Sequence, residues 1–325
     1  MPKRDLTTIG ALSQTEIASL LQRARFYKGE GARRSGVLSG KIIGLFFEKP
    51  STRTRVSFEA AIMQMGGQTI FLSAQDTQVG RGETIADTAR VLSGYLDGLV
   101  IRTFGHSKLE EWCQHATIPI INGLTDLHHP CQVLSDLFTI AEKKEKLKGL
   151  KMTYLGDGGN NMAHSLMEGG TKMGMDVTVA CPDGYAPNAT ILRDTLGFAR
   201  DSGGSVRVIT DSMEGAMDAD VLYTDVWFSM GYKMIGDPKG LPEAKSKFIS
   251  HSHKKVLEHI FKAYQINSTL LEKAKPNVMI LHCMPIHRGE EIAGEVVEDI
   301  RSVIFEQAKN RLYAQKAILE YLFGG

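Results

Sequence analysis

Short apolar runs recur along the chain, most of them followed by Gly, Pro, Asp or Asn and then by a longer amphipathic stretch. Ile42–Phe47, Thr69–Leu72, Gly98–Ile101, Ile118–Ile121, Met152–Leu155, Val177–Ala180, Val206–Ile209, Val221–Thr224 and Val278–His282 read as strands. Helical stretches lie between them, such as Arg53–Met65, which ends at Gly66-Gly67, and Thr84–Leu96. Alternating strand and helix dictates a parallel sheet, because parallel neighbours need a crossover and the crossing helices cover both faces. The expected class is α/β.

A length of 325 residues suits two domains. The polar run Glu142–Lys148 ends at Gly149, and a fresh strand-turn-helix unit starts at Met152. We therefore expect two doubly wound domains, 1–150 and 151–325, each a parallel sheet flanked by helices. Glu298–Phe323 reads as one long amphipathic helix able to pack back on the first domain. The stretch Lys233–Lys262 fits neither period and reads as a loop with a helical portion.

Composition narrows the function. With 38 Lys and Arg against 37 Asp and Glu, the chain lacks the basic excess that a polyanion partner wants, so no nucleic acid is expected. Polar residues interrupt the first twenty-one positions, and no apolar run is long enough to span a bilayer. Cys113, Cys131, Cys181 and Cys283 include no C-x-x-C pair, which argues against a disulfide framework and a zinc knuckle. His251 and His253 have no carboxylate or cysteine at ligand spacing, so no metal is expected either. Together these features point to a cytoplasmic protein without a membrane role.

Chemistry must then come from local clusters. Ser51, Thr52, Arg53 and Thr54 follow an apolar strand and Pro50 and open a helix, a place where free N–H groups bind anions. The same residues also fit a capped helix with solvated arginines. Without glycines there is no Walker pattern, so a nucleoside triphosphate is not implied. Arg102 ends an apolar strand, where open parallel sheets place ligands. His129, Pro130, Cys131 and Gln132 offer imidazole and amide groups suited to a carbonyl, or simply form a turn.

The second half carries three more clusters. Gly156-Asp157-Gly158-Gly159-Asn160-Asn161 follows a strand and opens a helix, with Asp176 twenty positions beyond Gly156. Asn161 stands where the dinucleotide fingerprint needs its third glycine, and its amide can instead donate to a small carboxylate. An NAD-dependent dehydrogenase is the alternative this loop leaves open. Asp225 ends a strand and precedes Ser229 and Met230, a set able to hold a cationic amine. His282 and Cys283 close the last strand, where alternation places adjacent side chains on opposite faces and forbids a dyad.

Taken together these residues resemble the aspartate/ornithine carbamoyltransferase family over nearly the whole chain. The likeness rests on Ser51-Thr52-Arg53-Thr54, Gln78 ahead of Gly80-Arg81-Gly82-Glu83, Arg102, His129-Pro130-Cys131-Gln132 and Asn161. It continues with Asp225 and Ser229-Met230-Gly231, His282-Cys283-Met284-Pro285, and Arg311 in Asn310-Arg311-Leu312. The resemblance implies transfer of a carbamoyl group from carbamoyl phosphate to the δ-amine of L-ornithine, giving L-citrulline and phosphate without cofactor or metal. It assigns carbamoyl phosphate to Ser51, Thr52, Arg53, Thr54, Gln78, Arg102, His129, Pro130, Cys131, Gln132, Cys283, Met284 and Arg311. Ornithine falls to Asn161, Asp225, Ser229 and Met230, and catalysis to Arg102, His129, Asp225 and Cys283.

In such enzymes the site lies between domains at a subunit boundary of a trimer or a multiple of trimers, and Gln78 would reach a neighbouring subunit's site. Asp225 with the Ser-Met-Gly set separates members that take ornithine from those that take aspartate. Putrescine, lysine and N-acylated ornithine remain alternatives within the class. Two departures stand out: Met284 replaces the usual leucine, and Tyr232–Ala263 is longer than the family's connection. That longer segment reads either as an altered lid or as a surface insertion.

Overall fold

The computed structural model describes residues 3–29, 35–227, 232–234, 247–249 and 251–324. The chain forms two compact units, residues 1–146 with 306–325, and residues 147–305.

The first unit contains α1 (Gln14–Lys28), β1 (Ile42–Phe47), α2 (Thr52–Gln64), β2 (Gln68–Ser73), α3 (Ile85–Ser93), β3 (Gly98–Arg102), α4 (His106–His115), β4 (Ile120–Leu124) and α5 (Pro130–Lys144). Its sheet has the order β2-β1-β3-β4, parallel throughout. Strands β1 and β3 are central and apolar up to Arg102, the last residue of β3, as strands covered on both faces must be. Gly44 matters in β1: a Cβ there would lie 2.6 Å from the Cδ1 atoms of Leu96 and Leu99, so the two leucine methyls pack directly over its backbone and would have to shift for a larger residue. Phe46, Leu99, Ile101, Leu109, Trp112 and Ile120 fill the core beside these strands.

The second unit contains β5 (Lys151–Leu155), α6 (Asn161–Lys172), β6 (Asp176–Ala180), α7 (Ala189–Ser202), β7 (Ser205–Ile209), α8 (Ser212–Ala216) and β8 (Val221–Thr224). It continues with β9 (Tyr232–Met234), β10 (Lys247–Ile249), α9 (His251–Phe261), α10 (Ser268–Leu271), β11 (Met279–His282) and α11 (Gly294–Val297). The main sheet runs β11-β8-β5-β6-β7, again parallel, and β9 pairs with β10 separately. Of the expected loop with a helical portion, α9 is the helix; residues 235–246 and 250 lie outside the described residues.

One expected element starts late. The helix expected over Glu298–Phe323 is observed only as α12 (Ile304–Phe323), and residues 298–303 form a turn between α11 and α12. Residues 301–303 leave the helical path to pair with β11: Ile280 donates to the Arg301 carbonyl at 3.0 Å, and Val303 donates to the Ile280 carbonyl at 3.1 Å. Asp299 caps that turn with bonds from the Arg301 backbone and guanidinium.

Both main sheets have a point where chain order reverses. In the first it lies between β1 and β3, and in the second between β5 and β8. Crevices outside the carboxyl ends of strands at such points are where open α/β sheets hold ligands. The segments leaving those four strands carry Ser51–Thr54, Arg102, Gly156–Asn161 and Asp225.

Candidate active site

At the first reversal point β1 hands over to α2. Ser51 is the N-cap of α2, its Oγ accepting the Thr54 N–H at 3.3 Å. The first intrahelical bond runs from Arg55 to the Ser51 carbonyl, so the N–H groups of Thr52 and Arg53 precede the ladder and face outward along the helix dipole. Thr54 is buried and Arg53 half-buried, while Thr52 is exposed. Glu48 is drawn aside by Thr103 Oγ1 at 2.6 Å and Lys108 Nζ at 3.0 Å. Arg102, the last residue of β3, is only 8% exposed, so it is not a strand-end arginine pointing at water.

His129 precedes α5, with Pro130 as its first helical residue. Burial holds the His129 imidazole well below its usual range, and the guanidinium groups of Arg311, Arg102 and Arg53 push the same way. A neutral ring ringed by three cations can donate to, or accept from, a polar ligand without adding charge. Arg311 comes from α12 and forks: one nitrogen donates to Gln132 Oε1 and the other to Thr54 Oγ1 at 3.2 Å. Gln132 Nε2 donates to Asp136 Oδ1 at 2.8 Å. The Cys131 thiol donates to the Asn122 carbonyl at 3.3 Å, and burial pushes it up to about 12, so it stays protonated. Gln78 is exposed in a short 3-10 turn and is not part of this bonded set.

The second unit builds a group of opposite sign. Asp225, just past β8, is buried and accepts the Cys283 thiol at 2.9 Å, the Val226 N–H at 2.8 Å and Asn160 Nδ2 at 3.5 Å. Burial raises the Asp225 carboxyl above its ordinary range, partly offset by His282, Cys283 and the Val226 N–H. Asn160 caps α6, accepting the Ala163 N–H at 2.8 Å, and donates to the Tyr154 hydroxyl at 2.6 Å. Asn161 is therefore the first helical residue of α6, and it is buried. Ser229 and Met230 lie outside the described residues, as does Gly231.

His282 and Cys283 require a correction. Alternation placed them on opposite faces, but strand pairing stops at His282 and Met284 adopts φ +61°. One atom each of Asp225, His282 and Cys283 then falls within 4.8 Å of the others. The Met284 N–H donates to His282 Nδ1 at 2.8 Å, which leaves the ring proton on Nε2, 3.0 Å from Glu291 Oε1. Met284 itself is half-buried against the core of the second unit.

The sequence assigned no site role to Asn160, Tyr154, His282, Glu291 or Asp136. Asn160 had a signal, a cap residue directly ahead of a helical run. Asp136 had one too, four residues after Gln132 on a helix. Glu291 had none, because only the folded chain brings it to His282. The Gly156 loop also gains a physical reading: Asp157 Oδ1 accepts the Gly159 N–H at 3.0 Å, so a carboxylate occupies a backbone donor that a pyrophosphate would need. A dinucleotide is not favoured there.

Comparisons with known proteins agree in direction. A family model described as aspartate/ornithine carbamoyltransferase, carbamoyl-P binding domain, matches residues 4–142. A second, aspartate/ornithine carbamoyltransferase, Asp/Orn binding domain, matches residues 148–322. The chain is 49% identical over 323 residues to an ornithine carbamoyltransferase of Oceanobacillus iheyensis, covering 98% of this chain and 94% of the relative. The solved ornithine carbamoyltransferase from Pyrococcus furiosus is similar with a TM-score of 0.89 at 45% identity, covering 99% and 97% of the two chains. That from Gloeobacter violaceus is similar with a TM-score of 0.85 at 43% identity, over 100% of both chains.

Proposed function

The chain belongs to the aspartate/ornithine carbamoyltransferase family, and on that premise we propose that it moves the carbamoyl group of carbamoyl phosphate to the δ-amine of L-ornithine. The products are L-citrulline and phosphate. The observation that carries the amine is the buried Asp225 carboxylate, held by Cys283 at 2.9 Å in the domain that matches the Asp/Orn binding model. A buried anion suits the α-ammonium of ornithine, whereas the second carboxylate of aspartate would be repelled.

Carbamoyl phosphate is a dianion with one carbonyl and one NH2. Its phosphate suits the α2 N-terminus at Ser51–Thr54 together with Arg53 and Arg102. The carbonyl oxygen gains charge as the amine attacks, and Thr54, Arg102 and neutral His129 serve as donors to it. Losing one such donor typically costs about 3–4 kcal/mol of barrier lowering. Pro130 and Cys131 shape the turn that presents His129 and Gln132, and Arg311 braces Thr54 and Gln132 from α12.

Asn161 receives the α-carboxylate, with Ser229 and Met230 completing the amino-acid pocket. The δ-amine must lose a proton before attack, which at pH 7 costs roughly 4–5 kcal/mol for an amine of pKa near 10.4. Cys283, held by Asp225, orients this amine, and the departing phosphate takes the proton from the attacking nitrogen as the C–O bond breaks. No cofactor enters the atom balance.

The same reading includes a cytoplasmic homotrimer, or a multiple of trimers, acting in arginine metabolism, with Gln78 delivered to a neighbouring subunit. Gln78 is exposed, and Val56, Met63 and Ile70 form an exposed apolar set on α2 and β2, which supports a contact with another copy. Among the described residues no helix is long and apolar enough to cross a membrane. The test is phosphate release: it should require ornithine and match citrulline one for one. Release independent of any amine contradicts the proposal.

A further inference from the structure

An amide has two ends, and which end Gln132 offers decides what it can recognise. In carbamoyl phosphate the phosphate and the carbonyl oxygen accept hydrogen bonds, while the NH2 group is the donor. Gln132 is 2% exposed, and its Nε2 donates to Asp136 Oδ1 at 2.8 Å. The same oxygen of Asp136 accepts Gln307 Nε2 at 2.7 Å, from α12. Asp136 is fully buried on α5, one turn beyond Gln132, and it is an acceptor when ionised. With its nitrogen committed, Gln132 turns Oε1 toward Arg311, which donates to it. A carbonyl oxygen has a second lone pair, left for one more donor.

We propose that Asp136 is a positioning residue that fixes the Gln132 amide with its acceptor end toward the substrate, so that the site selects a phosphate bearing a carbamoyl NH2 over one bearing a methyl group. The inference rests on the carbamoyl-phosphate reading above and goes beyond it by naming what sets the selectivity. Arg311 reinforces the arrangement: a flipped Gln132 would aim Nε2–H at a guanidinium, donor against donor. Gln307 ties Asp136 to the helix that carries Arg311, so the orienting carboxylate and the oriented fork move as one assembly within the first unit.

The test uses the full chain and five proteins: wild type, Asp136→Ala, Gln132→Ala, the double variant and, as the conservative arm, Asp136→Asn. Folding is checked by circular dichroism and Tm. The readouts are the KM for carbamoyl phosphate, the KM for ornithine, and the Ki of acetyl phosphate, which replaces NH2 by CH3. We expect Asp136→Ala to raise the carbamoyl-phosphate KM about tenfold while the ornithine KM and the acetyl-phosphate Ki stay within about twofold, one good hydrogen bond being worth that ratio. Asp136→Asn keeps an acceptor oxygen and should restore most of the selectivity. In the Gln132→Ala background, Asp136→Ala should add nothing further, because the two residues act as one unit.

A purely structural Asp136 would lower Tm and the active fraction without changing the ratio of acetyl-phosphate Ki to carbamoyl-phosphate KM. That result overturns the proposal, as do additive effects in the double variant. Wild-type protein that forms citrulline while the variants keep their selectivity refutes the role of Asp136 alone. Wild-type protein that forms no citrulline overturns both readings.

Discussion

The thiol of Cys283 donates to the carboxylate of Asp225 across 2.9 Å, joining the segments that leave β11 and β8. The thiol thus stabilises the charged form of a buried acid, and it does so as a neutral donor. A nucleophilic cysteine would need the opposite arrangement, a cationic partner that favours thiolate.

Replacing the acid tests that relationship. Asp225→Asn keeps a hydrogen-bond acceptor and removes the charge proposed to pair with the substrate ammonium. Removing one partner of a buried pair costs about 3–5 kcal/mol, which is roughly 150- to 5,000-fold in kcat/KM for ornithine. Steady-state kinetics should show that fall while the KM for carbamoyl phosphate changes by less than about twofold, since the residues proposed for its phosphate and carbonyl, Ser51–Thr54, Arg102 and His129, lie in the other unit.

The pH dependence follows from the same carboxyl. Its ordinary value is 3.8, and burial raises it in the folded chain. The proposed pairing with ornithine needs the ionised form, so the ornithine KM should rise with acidification while unperturbed carboxylates are still charged. The limb should vanish in Asp225→Asn. For stability the sign is reversed: the folded chain holds a proton that the unfolded chain has released. That contribution is present below 3.8 and is lost as pH rises through the raised folded value.

His129 gives a separate stability signature. Burial and three guanidinium groups hold it neutral well below its ordinary 6.5, whereas in the unfolded chain it protonates there. The unfolded state then binds more protons, so stability is full above 6.5 and falls with acidification below it. Tm measured from pH 8 to pH 5 should drop less steeply for His129→Asn than for wild type. Parallel curves would contradict the neutral, buried ring.

Arg311 bridges Gln132 and Thr54 through two separate nitrogens. Arg311→Lys keeps the charge and loses the fork. A hydrogen bond to a charged group contributes about 1.5–3 kcal/mol, so calorimetry should show carbamoyl phosphate binding weakened at least tenfold. Binding within twofold of wild type would show that charge alone suffices.

Much of this arrangement is legible before folding. Ile42–Phe47 and Val221–Thr224 are apolar runs whose ends are marked by Glu48 and Asp225, and the strands stop at the expected residues. Both parallel sheets follow from that alternation. What stays hidden depends on contacts between distant residues. Glu298–Phe323 has helical periodicity, yet Ile280 captures residues 301–303 and the helix starts only at Ile304. Gln132 and Arg311 lie 179 positions apart, so their bond leaves no local pattern. His282 and Cys283 mislead because alternation was carried one residue past the end of pairing. Glu291 enters only through the turn at Met284 that brings His282 to it.

The most direct test of the central claim is a comparison of amines. Purified protein with saturating carbamoyl phosphate is offered L-ornithine, L-lysine, putrescine, N-acetylornithine and L-aspartate, and each carbamoylated product is quantified. The account predicts L-citrulline from ornithine with a kcat/KM at least a hundredfold above every other amine. Equal or faster turnover of aspartate, putrescine or N-acetylornithine would contradict the assignment of Asp225 and Asn161 to the two ends of an α-amino acid.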